Sequence, residues 1–105
     1  MNSRARSMAL DAGTSSDAAD VTASTDRARV RAAITVILRE AGPLTDDQIV
    51  EHYETRARSF SSVPWVTPQR IRTARAELVR AGAVRDAQLL AFSTLGNKAT
   101  AWTLA

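Results

Sequence analysis

The chain has 105 residues, 45% hydrophobic and 24% charged, with a net charge of +3. That fits one soluble globular domain with a mild bias toward polyanions. It has no cysteine and a single histidine, His52, which excludes disulfides, thiolate catalysis and a His/Cys zinc site within one chain.

Residues 1–24, "MNSRARSMALDAGTSSDAADVTAS", are mostly Ala, Ser, Thr, Asp and Gly. Too little apolar surface is present to offset the entropy of ordering, so a flexible tail is expected there. Its two early arginines are not followed by the continuous apolar core of a secretory signal. No apolar run anywhere approaches the roughly 18 residues that span a membrane. A cytoplasmic protein without membrane association is expected.

The first helix is predicted within "TDRARVRAAITVILREAG". Val30, Ala33, Ile34, Ile37, Leu38 and Ala41 recur at helical spacing and form one apolar stripe. Thr25 or Asp26 can cap its start, and Gly42 followed by Pro43 ends it. The second helix opens on "LTDDQI". Thr45 and Gln48 have the spacing of a capping box, Leu44 and Ile49 that of a hydrophobic staple. Asp46 and Asp47 occupy the first turn, where the helix dipole favours negative charge. Ile49, Val50, Tyr53 and Ala57 form the expected inward face.

"RSFSSVPWV" then breaks the periodicity, with Phe60, Val63, Trp65 and Val66 as candidate anchors of a loop. Thr67 and Pro68 restart a helix, an N-cap followed by proline at the first helical position. This third helix is predicted over 68–81 with Ile71, Ala74, Leu78, Val79 and Ala81 along its apolar side, and Gly82 ends it. From Ala83 onward the pattern favours strands, with Gly96-Asn97 as the turn of a hairpin. The register is open: a two-residue loop would put Leu90 and Phe92 opposite the Trp102 face, and an odd-length, three-residue loop would bring all three to one side. Burial of apolar area favours the odd-length loop, because a slip of one residue flips every side chain.

The order helix, capped helix, loop, helix, hairpin resembles a winged helix-turn-helix domain. That fold is mainly α with a small β-hairpin: three helices plus a C-terminal β-wing. "GPLTDDQIVEHY" looks like the start of the second helix. "VTPQRIRTARAELVRAGAVRD" looks like a recognition helix running into the first wing strand, and "STLGNKATAWTL" like the wing tip and its return. The pattern is similar to small winged-helix proteins of actinobacteria and their phages. It covers residues 26–105, within a domain expected over residues 25–105. Two departures stand out. The connection from Arg58 to Thr67 exceeds the 3–4-residue turn of a simple helix-turn-helix. The wing is poor in cations, with only Lys98 basic between Gln88 and Ala105.

Stepping 100° per residue from Ile71 separates the arginines of the third helix. Gln69, Arg72, Thr73, Ala76 and Arg80 fall opposite the core, and Arg70 and Glu77 on a flank. Arg75 falls toward the core, where packing or an ion pair with an acid of another helix is expected. The outward set suits a major groove, because Arg can bind guanine, Gln adenine, and Thr a thymine methyl or a phosphate. A solvated polar face is the plain alternative. Charge sorting weighs against it. Residues 56–85 hold seven arginines and one acid, net +6, whereas residues 40–54 hold five acids and neither Lys nor Arg, net −5. Such sorting suggests one basic face for phosphates with the acidic side turned away.

No catalytic constellation competes with this. Asp46 and Asp47 are explained by the helix dipole, and Ser59, Ser61 and Ser62 have no base in a recognisable motif. His52 is expected at the helix surface, Tyr53 in the core, and Trp65 and Trp102 as core and loop anchors. The four glycines are isolated, so no phosphate-cradling loop is present. The expectation is a non-enzymatic double-stranded DNA-binding protein without cofactor or metal, a transcriptional regulator or phage accessory protein. Gln69, Arg72, Thr73 and Arg80 would face the groove. Arg70, Arg56 and Arg58 would contact phosphates, and Lys98 would reach from the wing. A lone module buries limited DNA, so a homodimer or protein partner is expected for high specificity. The alternative is a winged-helix protein-interaction module that does not bind DNA.

Overall fold

The computed structural model describes residues 14–105, with side chains from residue 25 onward. Three helices, α1 (Thr14–Ala41), α2 (Asp46–Ser59) and α3 (Pro68–Arg80), precede two short strands, β1 (Val84–Asp86) and β2 (Trp102–Leu104). The strands pair antiparallel in the register Val84↔Leu104, Arg85↔Thr103, Asp86↔Trp102. This is the expected mainly helical fold with a small sheet after the helices, in a winged helix-like arrangement.

Helix α1 starts eleven residues before the expected Thr25, at Thr14. Thr25 and Asp26 are therefore interior to the helix and do not cap it. Alanine-rich sequence has high helix propensity, and a helix already held downstream by packing extends at little nucleation cost. The remainder of the expected tail lies outside the described residues.

The core joins all three helices and the sheet. Val30, Ile34, Ile37 and Leu38 of α1 meet Ile49 and Tyr53 of α2, Ile71 and Leu78 of α3, and Val84 of β1. Each large aliphatic side chain buried there contributes about 1.5–3 kcal/mol. Two stripe positions fall outside the core: Ala41 and Ala81 sit at helix ends and are exposed.

The local signals at the start of α2 and at both ends of α3 are realised. Thr45 N donates to Gln48 Oε1 at 3.0 Å while Gln48 N donates to Thr45 Oγ1 at 3.3 Å, which completes the capping box. Thr67 Oγ1 accepts from Arg70 N at 3.1 Å. Gly82 takes φ +80°, so that Ala83 N can reach back to Leu78 O at 2.9 Å, closing α3 with the C″-to-C3 bond of a Schellman turn.

Beyond α2 the chain follows residues 60–67 before α3. Val63 and Val66 pack against the core, and Tyr53 donates its hydroxyl proton to Pro64 O at 2.6 Å. Phe60 and Trp65, expected as anchors, stay half-exposed or more. Tyr53 and the two valines already occupy the space beneath the loop. Leu44 exchanges backbone hydrogen bonds with Trp102 at 3.0 and 2.7 Å, so the segment before α2 forms a one-residue third rung beside β2.

The wing turns through Thr94, Leu95 and Gly96. Ser93 N donates to Asn97 O at 2.8 Å and Gly96 N to Ser93 O at 2.9 Å, with Gly96 at φ +85°. The loop has the expected odd length, but not the expected burial. Ala87 pairs with Ala101 and Ala91 with Ala99, which leaves residues 88–90 opposite Thr100 alone. Gln88 takes φ +58° in that bulge, and bulges bend and twist a ribbon. Trp102 packs against the core, whereas Leu90 and Phe92 are 76% and 53% exposed.

Candidate nucleic-acid interface

Helix α3 is fixed on both flanks by ion pairs, and this decides what it presents outward. On one flank Arg31 of α1 reaches Glu77 at 3.1 Å. Glu77 is the only acid in α3, so with it turned to Arg31 the outward ridge carries no carboxylate of α3 itself. On the other flank Arg75 grips Asp46 through two bonds, Nε–Oδ1 at 2.9 Å and NH2–Oδ2 at 2.8 Å. The same guanidinium lies 4.1 Å from the centre of the Trp102 ring. A bidentate carboxylate contact and a cation–π contact use different parts of one planar cation. Arg75 thus has the inward, ion-pairing role that its helical phase indicates.

Arg72 departs from expectation. Its NH2 lies 3.3 Å from Asp47 Oδ1. The other carboxylate oxygen of Asp47 accepts two bonds from the wing tip, from Thr94 N at 3.0 Å and Thr94 Oγ1 at 3.2 Å. The Thr94 backbone N–H is the largest influence holding the Asp47 carboxyl below its ordinary pKa; burial, next in size, opposes it, and the Thr94 hydroxyl and Arg72 add to the depression. The first turn of α2 is therefore not an acidic side turned away. Asp46 and Asp47 point at α3 and neutralise two of its arginines. A groove of about 530 Å³ opens beside this contact, walled by α2, the start of α3 and the wing, with Glu51, Glu54 and Phe92 in its lining.

The other expected contacts divide into two groups. Gln69, Thr73 and Arg80 are exposed on the ridge of α3, Ala76 is half-buried between them, and Arg70 is half-buried on the flank. Lys98 is exposed on the wing, where it bridges to Phe92. Arg58 is exposed near the end of α2. Arg56 stands apart. It pairs with Glu40 at 3.3 Å and lies 5.2 Å from the Phe60 ring centre. Both grooves it lines are walled by α1, α2 and the loop after α2, with no α3 residue in them.

His52 is exposed, as expected of a helix surface position. Among the described residues, no group of three or more His, Cys, Asp or Glu could hold a metal ion, and no helix is long and apolar enough to cross a membrane.

Protein-family models, curated proteins and solved structures offer no match to this chain. The site has to be read from its own chemistry. Sequence reasoning missed Asp47 and Thr94 as site residues. Asp47 has a sufficient local explanation in the helix dipole, and nothing in the spacing of residues 47, 72 and 94 announces that they meet.

Proposed function

We propose that the chain binds double-stranded DNA by laying the ridge of α3 in the major groove, as a transcriptional regulator or phage accessory protein would. The observation that carries this is the acid-free ridge. Gln69, Thr73 and Arg80 stand exposed along it, and Glu77 is drawn aside to Arg31. Amide, hydroxyl and guanidinium groups on one helical face supply the donors and acceptors that read base edges. Arg70, Arg58 and Lys98 would contact phosphates, which position a protein without reading sequence. Arg72, tied to Asp47, leaves the base-facing set, and Arg56, paired with Glu40, is the weakest of the expected phosphate contacts.

Protein binding is the second reading, favoured by one observation. The wing exposes Leu89, Leu90, Phe92 and Leu95, the last at 86%, and such an apolar display suits a protein surface better than a polyanion.

A salt series with random-sequence duplex DNA decides between them. DNA binding predicts that log K falls linearly with log salt, with about −0.9 in slope for each phosphate contact. Arg80→Ala should weaken binding, and Gln69→Ala should reduce discrimination between duplexes of different sequence by about 1–3 kcal/mol at the affected base pair. An absence of binding at low salt by the folded protein would leave the protein-interaction reading in its place.

A further inference from the structure

The three donors that converge on Asp47 come from two elements that a DNA-binding wing and helix would use together. Arg72 belongs to α3 and Thr94 to the wing tip. A guanidinium, a backbone N–H and a hydroxyl are also the groups that proteins most often direct at DNA phosphate oxygens. Here they share one carboxylate, Arg72 on Oδ1 and both Thr94 donors on Oδ2. A carboxylate and a phosphate present similar pairs of anionic oxygens to such donors. These donors favour the charged form of the carboxyl, whose pKa lies below its ordinary value.

We propose that Asp47 is an internal stand-in for a DNA phosphate. It holds Arg72 and the wing tip in the unbound protein, and a backbone phosphate takes over its donors on binding. This rests on the DNA-binding reading above and adds a regulatory contact to it. Arg72 then serves the phosphate backbone rather than a base. Asp47 acts through Arg72 and Thr94, as a competitor that weakens non-specific binding. The contact is partly solvent-exposed, with side-chain exposures of 39% and 26% for Arg72 and Asp47. Its strength is therefore limited to that of surface ion pairs, and releasing it should raise affinity by about fivefold, not by orders of magnitude.

The test compares full-length wild type, Asp47→Asn and Glu54→Gln on random duplex DNA across a salt series. Glu54 lines the same groove, so its variant removes an equal charge without touching the Arg72 contact. Stand-in behaviour predicts about a fivefold gain at low salt for Asp47→Asn with an unchanged salt slope, because Arg72 meets the same phosphate in both complexes. Glu54→Gln should gain clearly less. Adding Arg72→Ala to Asp47→Asn should abolish the gain. In the wild type, the Thr94 amide resonance should move as DNA is added, a readout that needs no variant to fold. Equal gains for Asp47→Asn and Glu54→Gln, a gain that survives Arg72→Ala, or an unmoved Thr94 amide in a wild-type complex would overturn the stand-in role while DNA binding stands. No binding by wild type or Asp47→Asn would remove both proposals. Binding by Asp47→Asn alone would remove both as well, since a gain of about fivefold cannot turn an undetectable wild-type complex into a firm one.

Discussion

Arg75 and Arg72 lie three positions apart on one helix, and both meet a carboxylate of the first turn of α2. Their situations differ in water. The Arg75 side chain is 16% exposed and has Trp102 over its face as well as Asp46 at its edge. Its fork geometry is what allows both contacts, and lysine cannot reproduce them. Arg75→Ala should therefore destabilise the fold by about 2 kcal/mol, after discounting for the partly hydrated Asp46. Arg75→Lys should recover only part of that loss. Urea denaturation of the three proteins measures it, and an alanine variant as stable as wild type would show that the grip contributes nothing. The helical phase of Arg75 already placed it inward. Arg72, one step of about 100° from Ile71, lies on the same flank as Arg75, and from there its guanidinium reaches Asp47.

Between α2 and α3, the loop over residues 60–67 is held chiefly from below. Tyr53 is fully buried and donates to Pro64 O, so one side chain of α2 fixes the path of the chain toward α3. Burial, with the charge of Asp26 adding to it, pushes the phenol up to about 12. The folded state thus favours the neutral phenol. Its contribution to stability is complete below the unfolded tyrosine value of about 10 and is lost as pH rises through about 12. Tyr53 is the chain's only tyrosine, so alkaline absorbance titration reads it alone. The expected result is ionisation about two units above free tyrosine, or coincident with alkaline unfolding. Ionisation at the ordinary value in a still-folded protein would contradict the buried, bonded phenol. The ends of these elements were legible because caps are local chemistry. Thr45 with Gln48, Thr67 with Pro68, and Gly82 each act within a few residues. The start of α1 was not legible, since Thr25 and Asp26 can cap a helix or lie within one and no residue there forces the choice.

Across the molecule, order should be graded from the helical core to the wing. Ile34, Ile49 and Ile71 are at most 1% exposed, whereas four large apolar side chains of residues 89–95 are more than half exposed. A wing secured by few buried contacts opens locally at less than the cost of global unfolding. Hydrogen exchange should show the amides of Ile34, Ile37, Leu38, Ile49 and Tyr53 exchanging only through global unfolding. The bonded amides of Ser93, Gly96 and Ala99 should exchange faster by at least a factor of about ten, equivalent to about 1.4 kcal/mol. Uniform protection would mean that the wing belongs to the same cooperative unit as the core. The division between chain and fold follows the range of the forces involved. Apolar periodicity and capping residues act over one or two turns, so the three helices and their inward faces could be derived from residue order. Whether Leu90 and Phe92 are buried depended on a bulge at Gln88 that re-aims the wing. Whether the acidic start of α2 faces away from α3 or into it depended on how two helices cross. Asp47 meets Arg72 and Thr94 only after the chain has closed on itself, because charges far apart in sequence interact according to their distance in space.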